Sequence, residues 1–436
     1  MKRNCSIELS KWNKKSGRKP LILMGARQVG KTWLAKDFAH REYPDTTVMV
    51  DLMRDKTLRN KIDSSDLSPK ILIDVIAAFT GKRIEPGRTL LIIDEIQESP
   101  NALASLKYFH EEMPDLAIIA AGSLLGLAVD RKGSFPVGKV NFIDVPPMTF
   151  DEFLLAMEEE SRYEQLKCRD WEGISFVEES FVTLLRKYFY VGGMPEAVSI
   201  FAATGDYRET REVQNDILRA YDEDFVKHAP KYLLPKIRLL WNNISAQLAK
   251  ENKKFIYKVL KEGARAREYE SALQWLNDAG MIHQVYRATP PRLPLESYQD
   301  FSAFKLYMHD VGLLGALSGL GSEVLINGNE LFTNFKGSLT EQFVLQQLIA
   351  NGINPFYWSS DSGNAEIEFV LQGVNDTYPL EVKAATNTRA KSLKTYREIF
   401  KPSIAFRTSL NPYRINEGLY DIPLYAAAET IAALIK

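Results

Sequence analysis

Four short apolar runs punctuate the first third of the chain, at residues 21–24, 46–52, 89–93 and 116–121. Three of them run directly into Gly25, Asp94 or Gly122, as strands buried on both faces do. Between the runs, residues 33–38 and 71–79 carry apolar positions at helical spacing. Strand alternating with helix predicts a parallel, three-layer α/β sheet. The pattern then changes. Residues 151–157 open a helix with Asp151 and Glu152 in its first turn, where acids suit the helix dipole. Residues 181–190 are amphipathic and stop at Gly192-Gly193, and residues 207–227 space Val213, Ile217, Leu218, Tyr221 and Phe225 along another helix. Residues 255–260, a turn at Gly263, residues 268–279 and a run at 281–287 give the order helix, turn, helix, strand. A long helix at 331–350 stops at Asn351-Gly352. Short strands follow at 355–358, 365–371 and 377–384, then a helix at about 388–400 and a strand at 403–406. These changes divide the chain into a sheet domain (1–150), a helical lid or linker (151–230), a middle domain (231–325) and a C-terminal domain (326–436).

Composition narrows this only a little. The chain has 436 residues, 45% apolar and 25% charged, as a soluble globular protein has. Its net charge of −1 excludes a polyanion binder acting over its whole surface. Cys5 and Cys168 are the two cysteines; their separation suggests neither a disulfide framework nor a zinc site, and a reducing cytoplasm fits. No apolar stretch has the length of a membrane span, and the N-terminal basic residues (Lys2, Arg3, Lys11, Lys14, Lys15, Arg18, Lys19) read as a solvated lead-in. Local charge is more telling. Residues 151–180 hold ten acids and three bases, whereas residues 231–290 hold eleven bases and five acids. The order of elements in that basic region is the outline of a winged helix, whose second helix would face the major groove of double-stranded DNA. Residues 268–279 nevertheless hold three acids and no base, so the surplus sits on the flanks.

The chemistry concentrates after the first apolar run. Gly25, Ala26, Arg27, Gln28, Val29, Gly30, Lys31 and Thr32 form G-x-x-x-x-G-K-T between a strand and a helix, the setting that pattern requires, with Trp33 next in the nucleotide-binding stretch. The glycines let backbone N–H groups face a phosphate, and the new helix adds the positive end of its dipole. Lys31 can reach the β- and γ-phosphates, and Thr32 can offer its hydroxyl to Mg²⁺. The run at 89–93 ends in Asp94 and Glu95. There Asp94 would hold the same Mg²⁺ and Glu95 would orient or deprotonate an attacking water. Ser123, at the end of the fourth run, is placed to sense the γ-phosphate.

Taken together, residues 25–32, Ile92-Ile-Asp-Glu-Ile-Gln97, Ala121-Gly-Ser123, Pro147-Met-Thr-Phe-Asp-Glu-Phe153 and Gly192-Gly-Met-Pro-Glu-Ala197 resemble the prokaryotic AAA-type P-loop ATPases that carry a C-terminal domain of unknown function. The resemblance covers nearly the whole chain. It implies ATP and Mg²⁺ as cofactors, a P-loop NTPase sheet with a helical lid, and an oligomer or a protein partner as options. It also implies an arginine where this chain has Gly138-Lys139, and lysine lacks the planar fork of an arginine finger. Arg131 is the other candidate.

Near the C-terminus, alternation puts Glu366 and Glu368 on one face of a strand, and Glu381 and Lys383 together on another. A glutamate on a helix, an acid on a strand, Glu-x-Lys, a helix and a strand resemble the PD-(D/E)XK restriction-endonuclease-like α/β fold. That resemblance implies Mg²⁺ bound by Glu341, Glu368 and Glu381, with Lys383 beside it. Glu368 stands where the pattern usually has aspartate. Two activities follow from the sequence: an ATP-hydrolysing switch, and a nucleotide-gated DNA nuclease. A third class is an interaction protein that binds ATP without turnover.

Overall fold

The computed structural model describes residues 2–122, 135–249, 253–323, 333–384 and 391–435. Its N-terminal sheet contains β1 (Leu21–Met24), β2 (Thr47–Asp51), β3 (Leu90–Asp94), β4 (Ala117–Ala121) and β5 (Asn141–Asp144). Their order is β2-β3-β4-β1-β5, and every pairing is parallel. Because side chains alternate, the sheet has two apolar faces. Ile22, Val50, Ile93 and Ile118 pack with the helices Lys56–Asp63, Pro69–Thr80 and Pro100–Glu112. Leu21, Leu23, Ile92 and Ile119 pack on the other side with Leu34 and Phe38 of the Lys31–Glu42 helix. This is the expected three-layer α/β arrangement. Parallel strands bring all their C-terminal ends to one edge, so the loop after β1 and the acids after β3 share a crevice.

The N-terminal lead-in needs correction. Cys5–Lys14 is a helix whose Cys5, Leu9 and Trp12 enter the second of those cores. Arg3, read as solvated, is only 5% exposed. The i, i+4, i+7 spacing of these three apolar residues outweighs the flanking charge.

Helices occupy most of residues 150–248, including Glu178–Val191, Pro195–Thr204, Tyr207–His228 and Leu234–Leu248. Residues 255–260 form only a short turn at Tyr257–Val259, not the expected helix. Phe255 donates its N–H to the Phe304 carbonyl, and Lys254 bridges to Lys305, so the segment is held extended along a strand edge. The second expected helix is present at Ala266–Asp278.

A second, mixed sheet contains β6 (Ile282–Ala288), β7 (Gln299–Met308), β8 (Phe356–Ser359), β9 (Glu366–Gln372), β10 (Thr377–Val382), β11 (Ala405–Ser409), β12 (Arg414–Asn416) and β13 (Leu419–Pro423). The strand order is β12-β13-β11-β10-β9-β8-β6-β7. The β6–β7 hairpin joins the C-terminal strands where Arg287 pairs with Tyr357. One hydrophobic cluster runs from Cys5 and Leu9 through Tyr188, Tyr221, Met281 and Phe343 to Ile431.

Candidate functional site

The phosphate loop is held from both sides before any ligand is considered. Gly25 has φ 151°, and a Cβ there would lie 2.5 Å from the Val145 carbonyl oxygen, so only glycine fits. Gly30 begins the Lys31–Glu42 helix in the left-handed region at φ 92°. Lys31 folds back and donates through Nζ to the carbonyls of Gly25 (3.0 Å) and Ala26 (2.7 Å). Burial pushes its pKa down to about 8, with Glu95 and Asp94 opposing that shift. Among the described residues no carboxylate bonds to its ammonium, so an incoming phosphate would supply a counter-charge.

Thr32 Oγ1 donates to Asp94 Oδ2 at 2.9 Å, closing the gap between the helix start and the end of β3. Burial raises the Asp94 pKa, against the hydrogen bond from Thr32. A hydroxyl and a carboxylate in contact are the donor set a hard divalent cation replaces, so these residues fit Mg²⁺. Glu95 sits in the left-handed region at φ 51°, and its N–H donates to Asp94 Oδ1 at 3.1 Å. Its carboxylate accepts from the Gln97 amide. Thus Lys31, Thr32, Asp94 and Glu95 lie together beside the loop after β1. Ser123 and Arg131 lie outside the described residues. Lys139 is tied to Glu111 at 2.9 Å on the protein surface.

Several contributors were not legible. The Arg3 guanidinium donates to the Val29 carbonyl (2.8 Å) and the Pro146 carbonyl (2.6 Å), and pairs with Glu152 (3.2 Å). It therefore ties the phosphate loop to the strand-ending turn. On the opposite side, Arg27 pairs with Asp224 of the Tyr207–His228 helix, and Tyr221 donates its hydroxyl to the Arg27 carbonyl at 2.8 Å. The same hydroxyl lies 3.2 Å from His309 Nε2, and His309 Nδ1 lies 3.0 Å from the Met281 carbonyl. Next along the chain, Asp310 accepts from the Gly193 N–H (2.6 Å) and from Gln346 (3.1 Å). A Cβ on Gly193 would lie 2.1 Å from the Met148 carbonyl oxygen, which is why that glycine is needed. The partners of His309 come from segments far away in sequence.

The C-terminal carboxylates also converge, but in company. Lys253 pairs with Glu341, and Tyr307 donates to Glu341 Oε2 at 3.1 Å. Lys305, with no exposed side-chain surface, lies 2.5 Å from Glu366 Oε1. The Val382 N–H donates to Glu368 Oε2 at 3.2 Å, and Lys383 pairs with Glu381. Burial, then the charges of Glu381 and Glu341, push the Glu368 pKa up to about 8. Burial works against the Glu341 carboxylate too, but Lys253 and Lys305 outweigh it and hold its pKa low. Among the described residues, no group of three or more histidine, cysteine, aspartate or glutamate side chains is arranged to hold a metal ion. Lys253 and Lys305 arrive from the preceding region, so the local strand pattern carried no sign of them.

Three family models match in sequence. Residues 17–154 match an AAA domain. Residues 182–324 match a domain of unknown function (DUF8612), and residues 336–427 another (DUF4143). No curated protein matches the chain. Among solved structures, a Walker-type ATPase of Pyrococcus abyssi is similar at 17% identity and a TM-score of 0.43, over 72% of this chain and 94% of that one. Cdc6p of Pyrobaculum aerophilum is similar at 11% identity and a TM-score of 0.26, over 74% of this chain and 92% of that one. Drosophila ORC bound to DNA is similar at 13% identity and a TM-score of 0.25, over 72% and 94%. No helix among the described residues is long and apolar enough to cross a membrane. The matched segment, the parallel sheet and the loop built around Lys31 agree: residues 17–154 are similar to an AAA domain and have a parallel sheet resembling that of a P-loop ATPase.

Proposed function

We propose that the chain is a nucleotide switch that binds and hydrolyses ATP with Mg²⁺ and passes the state of its phosphate loop to the C-terminal two thirds. The carrying observation is the grip of Asp224 and Tyr221 on Arg27, within the loop itself. Backbone N–H groups of residues 25–32 and Lys31 would hold the phosphates; Thr32 and Asp94 would hold Mg²⁺, whose chemistry is to neutralise phosphate charge. Glu95 orients the attacking water and accepts its proton, while the γ-phosphorus to bridging-oxygen bond breaks. Ser123 is the proposed sensor. Any movement of Arg27 on binding is felt by Asp224 and Tyr221, and through His309 and Asp310 by the second sheet. Double-stranded DNA is the first effector to test, given the basic surplus at 231–290. The test is ATP turnover of wild type and Asp224→Ala, with and without duplex DNA. Turnover that responds to effector in wild type and not in the variant supports the switch; identical responses overturn it.

A second reading, a Mg²⁺-dependent nuclease, draws on one observation: Glu381 Oε2 is buried beside Glu368 without a hydrogen-bond partner among the described residues. Glu341, Glu368 and Glu381 would bind the metal, with Lys383 next to it. Lys253 and Lys305 weigh against this reading, because they already neutralise the cluster. Cut ends on supercoiled DNA that vanish with Glu381→Ala would establish it.

A further inference from the structure

We propose that the groove between the Ala266–Asp278 helix and the β6–β7 hairpin docks an extended, lysine- or arginine-bearing segment of a partner protein. This goes beyond the nucleotide switch and does not depend on it. The groove encloses about 980 Å³. Its aromatic lining is continuous: Tyr257 meets Phe304 at 6.4 Å between ring centroids, Phe304 meets Tyr286 at 5.7 Å, and Tyr286 meets Phe301 at 5.8 Å. Phe301 is 75% exposed at the rim. An aromatic so open in a row of packed rings leaves apolar surface uncovered.

The polar lining has one sign. Glu270 and Asp278 stand two helical turns apart on the helix face that borders the groove, with Gln274 between them donating to Asp278 at 2.6 Å. Among the described residues, no lysine or arginine lines the groove. The local field is negative enough to register on a neighbour: burial and then Glu270 push the Tyr257 pKa up to about 12. Phosphate would be repelled here, which argues against this helix as a DNA reader. Cationic side chains fit instead. Their alkyl stems can cover Tyr286 and Phe301, and their charges can sit over a ring or against Glu270 and Asp278.

The backbone supplies a second reason for an extended segment. β7 is the last strand of its sheet, and the segment at 254–255 covers it only at Phe304 and Lys305. Phe301 and Ser302 of this edge strand border the groove directly, where the pairing with β6 is interrupted between Asp300 and Phe304. Trp275, 7% exposed, lines the same groove, its indole N–H buried and without an acceptor among the described residues.

The experiment uses the full chain and two fluorescein-labelled octapeptides, one alternating lysine with valine and the other glutamate with valine. Anisotropy should show the lysine peptide binding at least about tenfold tighter, with affinity falling as salt rises. Glu270→Lys combined with Asp278→Lys should invert that preference, and Phe301→Ala should weaken the lysine peptide about threefold to tenfold. All three positions border solvent, and unchanged ATP turnover serves as the control for folding. Equal affinity for the two peptides, no binding of either, or an unchanged preference in the charge-reversed variant would each overturn the proposal. Displacement of the peptide from wild type by a short DNA duplex would also overturn it, in favour of a nucleic-acid face.

Discussion

Lys31, half-buried, and Lys305, fully buried, both lie near carboxylates, yet their surroundings are opposite. Lys31 is held by two main-chain carbonyls, and burial dominates, so its pKa falls to about 8. Burial works against the Lys305 ammonium too, but Glu366, Glu341 and Glu368 more than offset it and raise its pKa. A lysine left without a counter-ion is ready to accept one. A lysine already matched to a carboxylate is part of the scaffold, and exchanging it for a metal requires it to leave. The contrast separates a site built for a ligand from one whose charges are already balanced.

The sharpest way to break this contrast is to remove each lysine. Lys31→Ala should cut ATP turnover by about 100- to 1,000-fold while leaving the urea midpoint near wild type. Lys305→Met should do the reverse, destabilising the fold by about 3 kcal/mol because buried carboxylates lose their counter-charge. Adding Glu366→Gln should restore much of that loss. If Lys305→Met folds as stably as wild type and gains Mg²⁺ affinity in calorimetry, the cluster is a metal site.

A middle-sized effect concerns pH, and the two sites carry opposite signs. Glu368 has a folded pKa of about 8 against 4.5 unfolded, so the native state binds the extra proton between those values. Its contribution is present below about 4.5 and is lost as pH rises to 8. Glu368→Gln should flatten denaturant stability across that window. Lys31 has a folded pKa of about 8 against 10.5 unfolded, so the unfolded state binds the extra proton. Its contribution therefore grows from pH 8 to 10.5, while ATP affinity falls as the ammonium is lost. Binding titrations from pH 7 to 10 check the second arm, and a flat affinity profile would remove Lys31 from the phosphate contact.

The smallest expected change comes from the supports. Arg3→Ala should raise the KM for ATP about threefold to tenfold, because the Val29 carbonyl loses its tether to the turn at Pro146. An unchanged KM would mean that the loop holds its shape without that clamp.

The parallel sheet and the phosphate loop were legible because their physics is local. Glycines at fixed offsets, a lysine, a threonine and an apolar run ending in two acids are enough to place Lys31, Thr32, Asp94 and Glu95. The clamps were not legible, since Arg3 meets Val29, and Asp224 meets Arg27, across 26 and 197 positions. The same limit hid Lys253 and Lys305 from the carboxylates at Glu341 and Glu366. Residues 255–260 misled for a related reason. Their apolar spacing suits a helix, but the unpaired edge of β7 offers hydrogen bonds that a short helix beside Gly263 does not match.

The ladder between Arg287 and Tyr357 has a consequence for how such chains can be rearranged. Two sequence families meet between residues 324 and 336, yet β6 on one side and β8 on the other belong to a single sheet. A crossover in that interval would join halves of a sheet grown with different partners, and each half would bring an edge cut for someone else. Recombination that respects the sheet must carry β6 and β7 along with everything after them. The inherited unit would then begin near residue 280, inside one family's boundary, rather than where either family ends.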